Sequence, residues 1–138
     1  MAIVIFLLGL IVGSFLNCVI YRLEKGKSFL KGRSYCPDCH HQLRWFDLIP
    51  VLSFLLLRGK CRYCQKKISW QYPLVELATG LLFLASWLIL GVNQPYWLGI
   101  VCFLIIIFVY DLKHSIIPDK VIYPAILVSG IWYLVSGI

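Results

Sequence analysis

Two cysteine pairs, Cys36-Pro37-Asp38-Cys39 and Cys61-Arg62-Tyr63-Cys64, stand 21 residues apart in a polar, basic stretch of a chain that is otherwise strongly apolar. Each C-x-x-C turn aims two thiolates at one point, and two matched pairs suit a tetrahedral four-sulfur site of the kind that holds structural zinc. A redox dithiol and plain structural cysteines are the competing readings. A redox pair is expected near a helix start, a context this stretch lacks. His40 and His41 follow Cys39 directly and could substitute as ligands; the simpler reading makes them exposed loop residues. Cys18 and Cys102 lie in apolar runs and read as small packing residues.

Asp111 is the second chemical candidate. It follows the uninterrupted apolar run 97–110, which puts it where a membrane helix meets the headgroup level. A carboxylate near hydrocarbon is costly, up to about 2.5–3.5 kcal/mol at a helix centre and less at its end. That cost suits an acid held for proton chemistry, since a second carboxylate nearby would split the two titrations and let the pair activate water. An interfacial acid held by Lys113 or Lys120 is the structural alternative. Asp119 follows Pro118 at the expected start of a helix, where unpaired N–H groups and the helix dipole favour an acid. Glu76, three residues after Pro73, reads either as a first-turn residue or as a polar contact at the membrane boundary.

The elements that must position these residues are set by composition. With 61% hydrophobic and 14% charged residues and a mean hydropathy of +0.86, the chain is far more apolar than a soluble domain. The net charge of +7 does not indicate nucleic acid: eleven of the thirteen Lys and Arg fall between Arg22 and Lys67, so the basicity belongs to one loop. The apolar block 1–21 is long enough to span a bilayer, and it has no basic stretch before it and no cleavage site after it, so it reads as a retained helix rather than a signal peptide. Gly9, Gly13 and Asn17 recur every four residues and stack on one face, a packing stripe for a second helix. No charge occurs from Leu77 to Tyr110. One helix of that length would measure about 51 Å, too long for a single crossing. Turn-forming residues at Gly91-Val92-Asn93-Gln94-Pro95 divide it into a hairpin, about 73–92 and 95–112. A fourth apolar segment opens near Val121 and is cut short at Ile138.

The expectation is therefore an all-α integral membrane protein with about four transmembrane helices, the last incomplete, and a small zinc-knuckle loop domain. Its divisions are 1–23 (first transmembrane helix), 24–72 (four-cysteine knuckle domain), 73–112 (helical hairpin) and 113–138 (turn and start of the fourth helix). Lys and Arg are retained on the cytoplasmic side, which makes 22–72 and the turn carrying Lys113 and Lys120 cytoplasmic. The cytoplasm is reducing, which disfavours disulfides among the loop cysteines.

Gly13-Ser14-Phe15-Leu16-Asn17, Tyr21-Arg22-Leu23, the two cysteine pairs, Asp47-Leu48-Ile49-Pro50, Arg58-Gly59-Lys60, Ile68-Ser69, Tyr72-Pro73-Leu74-Val75-Glu76, Asp111 and Ile117-Pro118-Asp119 together resemble the bacterial type IV prepilin leader peptidases and N-methyltransferases. The resemblance covers nearly the whole chain in order. It implies an aspartic endopeptidase of the bacterial cytoplasmic membrane that cuts the basic leader of type IV prepilins or pseudopilins after a glycine. It also implies methylation of the new N-terminus with S-adenosylmethionine as donor, in the service of piliation, protein secretion or competence. Asp111 matches the first of the family's two catalytic aspartates, and Cys36, Cys39, Cys61 and Cys64 match its zinc-type module. The family's second aspartate lies in a Gly-x-Gly-Asp motif, which these 138 residues do not contain. The chain thus looks like the family's N-terminal portion and is expected not to cleave alone, because one carboxylate cannot serve as both acid and base. No Gly-rich cofactor turn is visible, so S-adenosylmethionine rests on the resemblance alone. The alternative function is a non-enzymatic membrane scaffold whose knuckles bind a cytoplasmic partner.

Overall fold

The computed structural model describes residues 1–28, 32–90, 96–115 and 119–137. Among them the chain is all-helical apart from two isolated bridges. Its elements are α1 (Ala2–Glu24), a 3-10 turn (Trp45–Leu48), the short α2 (Leu52–Leu56), α3 (Gln71–Leu90), α4 (Tyr96–His114) and α5 (Asp119–Ser136). Three of these, α1, α3 and α4, are long and apolar enough to cross a membrane. At 18 residues and interrupted by Pro124, α5 is not among those three. The expected hairpin turn at 91–95 and the Ile117-Pro118 dipeptide lie outside the described residues.

The helix limits differ from the expected ones by one or two residues. Gln71 rather than Pro73 opens α3, because a proline in the first turn has no N–H that the helix needs. His114 closes α4, two residues beyond the expected limit, and Asp111 lies in its last turn. Asp119 is the first residue of α5, the helix start expected for it, and supplies the acid of its first turn.

The glycine stripe of α1 packs against α3 with the chains antiparallel. A Cβ on Gly9 would stand 2.7 Å from the Gly80 Cα, and one on Gly13 would stand 2.7 Å from the Glu76 Cα. Hydrogen is the only substituent this approach admits. One step further along the same face, Asn17 is 2% exposed and its Nδ2 donates to the Tyr72 carbonyl at 2.9 Å. Leu16, Val19 and Ile20 of α1 join Val75 of α3, Ile105, Ile106 and Val109 of α4, and Val121 of α5 in one apolar core. Outward-facing residues such as Ile3, Leu81, Leu104 and Phe108 stay exposed, as a lipid-facing surface requires. Lys113 Nζ meets Glu24 Oε1 at 2.9 Å, tying the last turn of α4 to the last turn of α1. The ends of α1 and α4, the start of α3 and the loop domain therefore share one end of the bundle.

Candidate functional site: a four-cysteine centre docked on a helix pair

The two cysteine turns are built alike. In the first, Cys36 N–H donates to the His41 carbonyl at 3.0 Å and His40 N–H to the Cys36 carbonyl at 3.0 Å; Tyr35 bridges Gln42. In the second, Cys61 N–H donates to Lys66 O at 2.9 Å and Gln65 N–H to Cys61 O at 3.0 Å; Lys60 bridges Lys67. The fifth residue of each turn takes a left-handed conformation, His40 at φ 57° and Gln65 at φ 60°. Each turn so formed presents both of its sulfurs on one side.

The turns face each other. All four Sγ atoms lie within 4.8 Å of one another, and Cys36 Sγ stands 3.9 Å from Cys64 Sγ across the two turns. Four thiolates at about 2.3 Å from one ion would stand about 3.8 Å apart, so this donor set fits a tetrahedral metal. All six cysteines are free thiols. Burial pushes the Cys36 thiol up to about 11; at Cys61 burial acts the same way but is outweighed by the N–H groups of Cys64 and Tyr63, which bring it down to about 7. A bound cation would draw all four into the thiolate form. His40 and His41 stay outside this group. His40 stacks on Tyr35, and the His41 ring lies 3.7 Å from that of Tyr63.

Further side-chain contacts brace the loop domain. Lys66 Nζ pairs with Asp38 Oδ1 at 2.9 Å. Asp47, whose side chain is 3% exposed, accepts from Arg62 Nε at 2.8 Å, from the Arg44 N–H at 3.2 Å and from the Tyr63 hydroxyl at 3.2 Å. Its backbone carbonyl accepts from Ser53 Oγ at 2.6 Å. Burial raises the Asp47 carboxyl, but Arg62 and the Arg44 N–H outweigh it, and the acid is held below the usual carboxylate range.

Glu76 docks this domain on the membrane helices. It lies in the second turn of α3, not the first, is 8% exposed, and accepts the Val51 N–H at 2.7 Å. Val51 holds φ at +59°, an unusual conformation for a β-branched residue. Between α1, α3 and the loop domain lies a cavity of about 350 Å³ whose wall includes Asn17, Tyr21, Tyr35, Val51, Tyr72 and Glu76. Sequence reasoning left Glu76 undecided and gave Asp47 no role, because the partners Arg62 of Asp47 and Val51 of Glu76 lie 15 and 25 residues away.

Asp111 lies apart from this cavity, exposed in the last turn of α4. Lys113, one of its two expected partners, pairs with Glu24 instead, because helical geometry turns residues two apart to different faces. Asp119 is likewise exposed.

Fold and site together define an all-helical membrane protein with a paired-knuckle, four-cysteine unit at one end of its bundle. The chain belongs to the family described as bacterial peptidase A24 N-terminal domain, whose model matches residues 7–90. It is 45% identical over 128 residues to a prepilin leader peptidase/N-methyltransferase of Myxococcus xanthus, covering 91% of this chain and 38% of that protein. Proteins of the same description from Vibrio cholerae (39% identity; 91% and 54% covered) and Klebsiella pneumoniae (36%; 96% and 61%) are also similar. The chain spans about half the length of the curated relatives it matches. No solved structure matches it.

Proposed function

We propose that this chain is part of a prepilin leader peptidase and N-methyltransferase of the bacterial cytoplasmic membrane. The observation that carries the reading is the ordered identity of 36–45% with relatives so named, over nine-tenths of the chain, joined to a four-cysteine group of metal-binding geometry. In this reading residues 1–23 and 73–112 span the membrane, and 24–72 form a cytoplasmic zinc-bearing domain. The substrates are type IV prepilins or pseudopilins, cut after the leader glycine.

Asp111 acts as one carboxylate of an aspartic dyad at the cytoplasmic membrane boundary, taking a proton from the attacking water or returning one to the leaving amine. Its place in the last turn of α4, on the side shared with the basic loop domain, supports this role. Cys36, Cys39, Cys61 and Cys64 would hold zinc as a structural ion. S-adenosylmethionine would supply an electrophilic methyl group: the amine nitrogen forms the new N–C bond, the S–C bond breaks to leave S-adenosylhomocysteine, and the amine gives up a proton to solvent.

The test is a chimera in which these 138 residues replace the matched segment of the Myxococcus xanthus relative. Reconstituted with a prepilin, it is expected to release the leader and methylate the new N-terminus, both read by mass spectrometry. A folded, membrane-inserted chimera that left prepilin intact would overturn the proposal.

A further inference from the structure

The loop domain carries an apolar segment that its own fold leaves open. Ten residues, Leu48 to Leu57, pass without a charge inside the most basic stretch of the chain. Phe54 is the inward side chain of this segment. It is 8% exposed, its ring meets Trp70 edge to face at 4.9 Å, and Gly59 closes over it. Leu52, Leu55 and Leu56 stand at i, i+3 and i+4, so they share the opposite face of α2, and they are 50%, 61% and 73% exposed. Trp45, in the 3-10 turn packed beside α2, and Trp70, just before α3, add two exposed indoles. An apolar patch of this kind on a protein surface marks an interaction site.

Its depth, its backbone and its flanks say what covers it. Val51, the residue before α2, is bonded to Glu76 in the second turn of α3, a helix long and apolar enough to cross a membrane. Glu76 stands five residues past Gln71, about 7–8 Å along the helix axis. That bond holds α2 at the level where an apolar face enters the boundary between headgroups and acyl chains, about 5–10 Å deep. The N–H groups of Ser53, Leu55, Leu57 and Gly59 all bond within the segment, at 2.8–3.1 Å, as backbone leaving water requires. Directly after the segment, Arg58 and Lys60 are exposed and form no ion pair among the described residues. Indoles beside an apolar face and cations at its flank suit an anionic membrane surface.

We propose that α2, Trp45 and Trp70 dock the four-cysteine domain on the bilayer that α1, α3 and α4 cross, with Arg58 and Lys60 against anionic phospholipid headgroups. The occupant is lipid, because a face fixed at the depth of the first turns of α3 meets the membrane before any soluble partner. The docking is independent of the peptidase and methyl-transfer readings. It gives the loop domain a second hold beside the bond between Glu76 and Val51, made by the side of α2 that points away from Phe54.

The experiment places p-benzoylphenylalanine at position 56 of the zinc-loaded chain, and of the chimera described above, in nanodiscs of phosphatidylethanolamine and phosphatidylglycerol. After irradiation, adducts are read by intact mass and peptide mapping. The expected adduct carries the mass of one phospholipid on the peptide containing position 56, with phosphatidylglycerol over-represented against its share in the disc. Leu55→Glu combined with Leu56→Glu, at unchanged helicity and metal content, is expected to speed tryptic cleavage between Cys39 and Cys61 by at least about threefold. That variant needs no photochemistry, so it decides the matter even if the photoreactive chain fails to fold. Adducts to a second copy or to another segment of the polypeptide in place of lipid, or unchanged cleavage of the folded double variant, would overturn the docking. Lipid adducts without phosphatidylglycerol enrichment would overturn the contact assigned to Arg58 and Lys60.

Discussion

Asp47 shows how a single carboxylate can organise a loop domain that has almost no apolar core. Its oxygens collect a guanidinium and a phenol from the second cysteine turn and an N–H from the stretch between the turns. The acid is held below its ordinary range in the fold, so its contribution is present at pH values above about 4 and is lost as pH falls through the folded value. Asp47→Asn is expected to destabilise the loop domain at pH 7 by about 1 kcal/mol, at the low end for bonds to a charged group because Arg62 is half exposed. Chelator titration of metal release at pH 7 measures this, and an unchanged midpoint would contradict the role given to Asp47. Gln65 offers the opposite sign. Its left-handed backbone costs a non-glycine residue roughly 1–2 kcal/mol, and its side chain makes only an exposed bond of 3.3 Å to Arg62 O. Gln65→Gly is therefore expected to resist chelation better than the parent chain. The cysteine spacing was legible at this scale because each pair is local in sequence. Asp47 and Glu76 were not, since their value comes from partners that only the folded loop brings near.

At the scale of elements, the α1–α3 pair is what the stripe of small residues predicts, and it is the part of the fold most plainly written in the sequence. Gly9, Gly13 and Asn17 stand on one face by periodicity alone, and each meets α3 at a matching step: Gly80, Glu76 and Tyr72. Gly13→Leu is expected to force the helices apart, since even a Cβ would collide with the Glu76 backbone. A cost of at least about 1–3 kcal/mol follows from overpacking of this kind. It should appear as a lower thermal midpoint in detergent and as weaker docking of the loop domain, read by faster proteolysis between Cys39 and Cys61. Equal proteolysis and an equal midpoint would mean that the helix pair does not carry the domain. The sequence was less informative about the fourth segment. Pro124 lies inside α5 and its first turn carries Asp119 and Lys120, so its described residues are less apolar than those of α1, α3 and α4, which a simple count of hydrophobic residues from Val121 does not register.

For the whole molecule, the structure separates two features that the sequence placed side by side. The four-cysteine centre, Glu76 and the cavity form one unit between α1, α3 and the loop domain; Asp111 sits on α4 at the same end of the bundle but outside that unit. A metal held by the four cysteines would belong to the support of the cavity. Removing it, by chelation or by Cys36→Ser with Cys61→Ser, is expected to loosen the loop domain while leaving the helicity of α1, α3 and α4 in place, as circular dichroism in nanodiscs would record. Collapse of the whole bundle on metal loss would contradict this division. In the proposed proteolysis Asp111 is one carboxylate of the dyad. In the chimera with the Myxococcus xanthus relative, prepilin cleavage is measured for the parent, for Asp111→Asn and for Asp119→Asn. The account predicts that Asp111→Asn removes cleavage at unchanged folding while Asp119→Asn, an acid at a helix start, cleaves as the parent does; cleavage by Asp111→Asn at the parent rate would contradict it.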